Sequence, residues 1–85
     1  MDKTEQILNL ILTEIAGGND NYDIEQTVDE AGTLYTVNIS DSRLAGKVIG
    51  KNGETAKAIR LLMKVVGNTE DNKVFMKVNT DRCQR

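Results

Sequence analysis

The apolar residues near the start of the chain recur every three or four positions, as on one face of a helix. They are Ile7, Leu8, Ile11, Leu12 and Ile15. Asp2 can accept a hydrogen bond from the first free backbone amides, and Glu5 follows three residues later, as in a capping box. Gly17-Gly18 ends the pattern. The spacing predicts an amphipathic helix over about residues 3–16.

The period then changes to two, after a polar turn at Asn19-Asp20-Asn21. Alternating positions define two segments: Ile24, Gln26 and Val28, then Tyr35, Val37 and Ile39. This alternation predicts two strands. The segment Asp29-Glu30-Ala31-Gly32 has the length and the glycine of a four-residue hairpin loop. We therefore expect the two strands to pair antiparallel.

Helical spacing returns after residue 40. Ser40, Asp41 or Ser42 can cap a short helix carrying Leu44, Val48 and Ile49. Gly50 is expected to end it in a left-handed backbone conformation.

A longer helix is predicted after Gly53, with Gly67-Asn68 as its terminator. Its apolar face consists of Ala56, Ile59, Leu62, Met63 and Val66. Beyond a polar connector at residues 69–72, Val74, Met76 and Val78 alternate with other residues and predict a strand over 73–79.

The order helix, strand, strand, helix, helix, strand predicts an α+β fold. Three helices would cover one face of a three-stranded mixed sheet. The helix pair joins the last two strands by a crossover, which favours parallel pairing between them. With 85 residues the chain can enclose one core, so we expect a single domain over 1–81 and a polar tail over 82–85.

Composition narrows the possible functions. Apolar residues make up 39% of the chain and charged residues 28%, as in ordinary globular proteins. There is no histidine and only one cysteine, Cys83, so neither a transition-metal site nor an internal disulfide is expected. No pairing of acid, base or nucleophile suggests an enzyme. Without an apolar run long enough for a bilayer or a recognisable signal, we expect a cytoplasmic protein with no cofactor.

The net charge of −2 conceals an uneven distribution. Residues 43–64 carry six basic residues and one acidic residue, a local charge of +5, whereas the rest of the chain carries −7. Such a polarity can orient a polyanion. The same lysines and arginines could also simply solvate a helix face.

The segment from Gly46 to Gly53 permits three interpretations. A phosphate-binding Walker A loop needs four residues between its first glycine and Gly-Lys-Ser/Thr, whereas three separate Gly46 from Gly50, and Asn52 replaces the hydroxyl residue. A hairpin at Asn52-Gly53 conflicts with the helical periodicity on both sides.

A Gly-x-x-Gly loop between two helices can instead let a phosphodiester approach the backbone closely, next to the free amides and positive dipole end of a helix. A plain helix connector also remains open.

The string GKVIGKNGETAKAIR, residues 46–60, resembles the core of K-homology (KH) domains. The order of elements resembles the type II KH fold, and the closest likeness is to the KhpA family of small bacterial RNA-binding proteins. The resemblance implies a groove for about four unpaired nucleotides, with the loop on the sugar-phosphate side and an aliphatic floor under the bases.

The resemblance assigns the backbone clamp to Gly50, Lys51, Asn52 and Gly53. It places Ile49, Ala56 and Ile59 in the groove or the adjacent core, and Val48 and Met63 in the core. Lys47, Lys57 and Arg60 are expected to contact phosphates or base edges. Gly46 inside a helix costs ~1 kcal/mol relative to alanine, which indicates close approach of a ligand or a neighbouring strand.

Two functional hypotheses follow. The first is a non-enzymatic module that binds single-stranded RNA. The second is a protein-interaction module with RNA binding secondary, which the resemblance suggests would form a homodimer or pair with a second KH protein of the KhpB type. The aromatic residues Tyr22, Tyr35 and Phe75 are distant in sequence from the loop, which argues against an aromatic stacking platform there.

Overall fold

The computed structural model describes residues 2–18, 21–69 and 72–80. Within these ranges the elements are α1 (Lys3–Ala16), β1 (Tyr22–Asp29), β2 (Gly32–Ile39), α2 (Ser42–Ile49), a 3₁₀ turn (Lys51–Gly53), α3 (Glu54–Gly67) and β3 (Val74–Thr80). The predicted order of elements is therefore confirmed. The polar turn at 19–21, the connector at 69–72 and the tail at 82–85 lie partly or wholly outside the described residues.

Helix α1 begins at the predicted cap and is fixed to the sheet there. The Glu5 amide donates to Asp2 Oδ1 over 2.7 Å, and the Tyr35 hydroxyl of β2 donates to Asp2 Oδ2 over 2.9 Å. Burial and the neighbouring Asp2 carboxylate raise the pKa of Tyr35 to about 12. Tyr35 therefore remains protonated near neutral pH and continues to donate this hydrogen bond.

The strands form one sheet in the order β1-β2-β3. β1 pairs antiparallel with β2, and β2 pairs parallel with β3, as predicted. The four-residue hairpin loop was wrong, because Asp29 pairs with Gly32 and leaves a loop of two residues. The Asp29 carboxylate accepts the amides of Ala31 and Gly32 over 2.8 and 3.2 Å, which tightens the turn and extends the ladder.

The core lies between the helices and one face of the sheet. Its largest fully buried side chains are Tyr35, Leu8, Leu12, Ile39, Met63, Val37 and Val48. On β3, Val74 and Met76 are buried in this core, whereas the alternate residues Phe75 and Lys77 are exposed. The helices of the described residues therefore cover one face of the sheet, as expected for a type II KH fold.

Helix α3 ends at the predicted glycine, which serves tight packing and has no positive φ. A Cβ on Gly67 would overlap the Thr4 hydroxyl and lie 2.7 Å from Val74 Cγ2. The next residue, Asn68, caps the helix and accepts the Val74 amide over 2.8 Å, joining the end of α3 to the start of β3. None of the helices in the described ranges combines the length and the apolar character needed to cross a membrane.

Gly32, at the start of β2, should tolerate substitution by alanine poorly. Its φ is 143°, and a Cβ there would overlap the Lys73 carbonyl oxygen and lie 2.9 Å from the carbonyl carbon. We expect Gly32→Ala to lower the free energy of unfolding by about 2 kcal/mol or more, measured by urea denaturation.

Gly17→Ala is the matched control, since Gly17 also has a positive φ but no atom of the described residues within 4 Å of a Cβ. It should cost only the left-handed backbone strain, about 1 kcal/mol. Equal losses in the two variants would contradict the role given to Lys73.

Candidate nucleic-acid interface

The turn between α2 and α3 has a positive φ at three of its four positions, Gly50, Asn52 and Gly53. Gly50 ends α2 as predicted, but the predicted left-handed conformation was wrong, because its φ of 80° combines with a ψ of 173°, a region open essentially to glycine alone. Asn52 and Gly53 have φ/ψ of 58°/22° and 75°/14°, and the Glu54 amide donates to the Lys51 carbonyl. Asn52-Gly53 therefore forms a type I′ turn. It joins two helices, so the hairpin interpretation is excluded.

The two glycines of the Gly-x-x-Gly loop have different physical roles. A Cβ on Gly50 would overlap the Thr55 hydroxyl and lie 2.8 Å from the Thr55 amide nitrogen. Gly50 is therefore required by the packing of the turn itself. A Cβ on Gly53 would have no atom of the described residues within 4 Å. Gly53 thus supplies the left-handed conformation and leaves the surface beside it open.

The amino end of α3 is open at this turn. Its N-cap is Gly53, and no side chain of the described residues makes a capping hydrogen bond there. The Glu54 amide donates to Lys51, but the amides that follow it in the first turn lack intrahelical partners, and the helix dipole favours negative charge beside them. Lys51 and Asn52 are exposed at the same turn. Glu54, in the first turn of α3, opposes an anion.

An exposed stripe on α2 leads to this turn. Arg43, Gly46 and Lys47 are all exposed and recur at helical spacing before Gly50. No atom of the described residues lies within 4 Å of a Cβ built on Gly46. Of the two alternatives for Gly46, the approach of a neighbouring strand is therefore excluded among the described residues, and the approach of a ligand stays a prediction.

The three apolar residues expected at the groove separate into two groups. Ile49 is 37% exposed and presents an aliphatic surface beside the turn. Ala56 and Ile59 are only 3% exposed and belong to the core, together with Val48 and Met63. Of the three, Ile49 is the one that offers surface to a ligand.

The two basic residues of α3 that were expected to contact RNA also differ. Lys57 is exposed, whereas Arg60 is half-buried and donates from Nε to the Met76 carbonyl over 3.1 Å. Met76 lies on β3, which is an edge strand of the sheet. Arg60 therefore holds its guanidinium group at the edge of the sheet. The sequence contained no signal for this contact, because it depends on how α3 packs against β3.

The glycine geometry predicts opposite effects on stability at two positions of the motif. Gly46→Ala should raise the free energy of unfolding by about 0.5–1 kcal/mol, because alanine favours a helix and meets no protein atom there. Gly50→Ala should lower it by about 2 kcal/mol or more, through overlap with Thr55 at a positive φ. Urea denaturation measures both changes, and a destabilised Gly46→Ala variant would contradict the open surface.

Comparison with known proteins supports the resemblance of the motif. Residues 5–78 match the family model described as KhpA/KhpB, KH domain. The RNA-binding protein KhpA of Listeria monocytogenes is 40% identical over 57 residues, covering 66% of this chain and 75% of that protein. The RNA-binding protein KhpA of Clostridium perfringens is 26% identical over 74 residues, covering 87% of this chain and 97% of that protein. The chain belongs to the KhpA/KhpB family of KH-domain proteins.

Proposed function

We propose that this protein binds single-stranded RNA without catalysing a reaction, gripping about four nucleotides at the turn formed by Gly50, Lys51, Asn52 and Gly53. The observation that carries the proposal is the open amino end of α3, where Gly53 leaves the surface free and no side chain of the described residues caps the helix. Relatives that share the family are named RNA-binding proteins.

The charges around the turn suit a phosphate backbone. Lys47, Lys51 and Lys57 are exposed on α2, the turn and α3, respectively. Their ammonium groups can make charge-assisted contacts with phosphates, and the α3 amides can contact the sugar-phosphate backbone at the turn. Because Gly46 has no side chain, the RNA strand has room to pass along α2. Glu54, the one acidic residue of the segment 43–64, lowers this attraction modestly.

The bases would then lie on the aliphatic side of the turn. Ile49 supplies exposed apolar surface there, while the buried Ala56 and Ile59 support it from the core. We expect Arg60, which donates to the Met76 carbonyl on β3, to contact a base edge or a phosphate at the far side of the groove.

The acidic remainder of the chain favours one orientation of the RNA. Outside residues 43–64 the net charge is −7, so a polyanion is repelled from the rest of the surface. Binding by one small domain should be weak and should fall steeply with salt. We place this activity in the cytoplasm, without a cofactor.

Replacing Lys51 and Asn52 together with aspartate should abolish binding of a short single-stranded RNA. Two carboxylates would face the phosphates, whereas folding should change little, because Lys51 is exposed and aspartate tolerates the left-handed φ of 58° at position 52. Fluorescence anisotropy with a labelled oligonucleotide at two salt concentrations measures binding, and circular dichroism checks folding.

A control variant, Lys3→Glu with Gln6→Glu, introduces the same change of three charge units on an exposed part of α1. It should retain most of the binding, with only the loss caused by the lower total charge. Wild-type RNA affinity of the loop variant, or an equal loss of affinity in both variants, would contradict the proposed clamp.

A second candidate function is association with another KH protein, as a homodimer or with a KhpB-type partner. The observation that favours it is an apolar face of α3 that the described residues leave uncovered. Leu61, Leu62 and Val65 are 62%, 49% and 74% exposed, and Val66 is 37% exposed. Large aliphatic side chains grouped on one helix are typical of interaction surfaces.

This face predicts that Leu61→Lys with Val65→Lys weakens self-association, because two charges would be buried at the interface. Sedimentation velocity at several protein concentrations should show the wild type associating and the variant monomeric. Leu10→Lys, at a residue of α1 that is 62% exposed, is the control and should not change association. A wild-type protein that stays monomeric throughout would eliminate the homodimer.

A further inference from the structure

The face of the sheet opposite the helices presents an aromatic residue on an edge strand. On β3 the core-facing residues Val74 and Met76 alternate with Phe75, Lys77 and Asn79, which are exposed on the other face. Phe75 is 44% exposed. An aromatic ring on an open sheet face is the arrangement on which unpaired bases stack in other single-strand binding domains.

Phe75 lies in a row of residues that crosses the three strands. Leu34 of β2 pairs in register with Phe75, and Thr27 of β1 pairs with Leu34, so the three side chains form one row across the face. Leu34 is half-buried in this row. Phe75 therefore has an apolar neighbour on β2, and part of its side chain remains accessible.

The charges on this face divide between its two edges. Lys73 and Lys77 are exposed two residues before and two residues after Phe75. The acidic residues of the face lie on the opposite edge, on β1, at Asp23, Glu25 and Asp29. A polyanion is consequently attracted to the β3 edge and repelled from the β1 edge.

Hydrogen bonds between polar side chains cross the three strands at the end of this face that contains Asn79. Asn79 donates from Nδ2 to Asn38 Oδ1 over 2.9 Å, and Asn38 donates from Nδ2 to Asp23 Oδ2 over 3.4 Å. These groups satisfy each other across the three strands. The face therefore needs no protein cover at this end, and its exposed apolar surface is concentrated around Phe75.

The β3 edge is continuous with the proposed RNA groove. The carbonyl of Met76, the residue after Phe75, accepts the hydrogen bond from Arg60. Arg60 lies six residues after the start of α3 at Glu54, roughly 9 Å along the helix axis. An RNA strand that leaves the groove at Arg60 thus meets the edge of β3, where Phe75, Lys73 and Lys77 are exposed.

We infer that Phe75, Lys73 and Lys77 form an accessory site for single-stranded RNA. A base outside the four held at the turn stacks on the Phe75 ring, and the two lysines contact the adjacent phosphates. The inference rests on the proposed function, since it concerns RNA that continues beyond the groove. It gives the domain a binding length greater than four nucleotides.

The test uses the absence of tryptophan from the chain. In the full-length Phe75→Trp variant, the new indole is the sole tryptophan and reports directly on stacking. Titration with a twelve-nucleotide single-stranded RNA should quench its fluorescence, whereas a four-nucleotide RNA of the same composition should bind with much less quenching. Phe75→Ala and Phe75→Leu should each bind the longer RNA at least about fivefold more weakly and the shorter RNA as the wild type does.

Val28→Ala is the control, since Val28 is 67% exposed on β1 and its loss should leave binding of both RNAs unchanged. Wild-type affinity of Phe75→Ala for the longer RNA, or an unquenched indole, would overturn the accessory site. So would an indole signal that changes with protein concentration without RNA, because a second copy would then cover the face. Adding Lys51→Asp and Asn52→Asp to the Phe75→Trp variant separates the two proposals. Normal binding of the short RNA rejects the clamp, while indole quenching by the long RNA still supports stacking on residue 75.

Discussion

The parallel pairing of β2 with β3 is the constraint on which the rest of the structure depends. Parallel neighbours cannot be joined by a tight turn, so the chain must cross over the sheet between them. The helix pair α2 and α3 makes this crossover and covers the sheet with its apolar sides. Asn68 and Arg60 then tie α3 to β3 by hydrogen bonds to Val74 and Met76. The junction of the two helices, with its Gly-x-x-Gly turn, is thereby held at the surface.

Some glycines of this protein are required by the fold, whereas others border open surface that is available for binding. Gly32, Gly50 and Gly67 lie where a Cβ would overlap Lys73, Thr55 or Thr4, and Gly32 and Gly50 also have a positive φ, so folding explains all three without a ligand. Gly46 and Gly53 meet no atom of the described residues within 4 Å. Packing does not explain these two, and both border the exposed basic stripe. The proposed RNA contact accounts for the open surface that they share.

The charged residues are distributed unevenly both along the sequence and over the folded sheet. Along the sequence, the basic residues are concentrated between 43 and 64, and the net charge of the whole chain conceals them. In the fold, Lys73 and Lys77 add positive charge at the β3 edge, while Asp23 and Glu25 lie on the opposite edge of the sheet. The proposed groove and the proposed Phe75 site therefore both lie beside basic residues of an otherwise acidic protein, which would limit where RNA binds.

The sequence by itself determined the elements and their order, because periodicity and capping act between residues a few positions apart. The Asp2 cap and the range of α1 illustrate this local control. The hairpin loop was predicted too long, since the hydrogen bonds of the Asp29 side chain were not visible in the pattern.

Only the tertiary structure decided which residues of each element reach the surface. Ile49 is partly exposed whereas Ile59 is buried, although both are aliphatic residues of amphipathic helices. The contact of Arg60 with Met76 and the outward position of Phe75 depend on elements that are distant in sequence. Periodicity identifies an apolar face, but the packing of α3 against β3 and of the helices on one face of the sheet determines what remains open to a ligand.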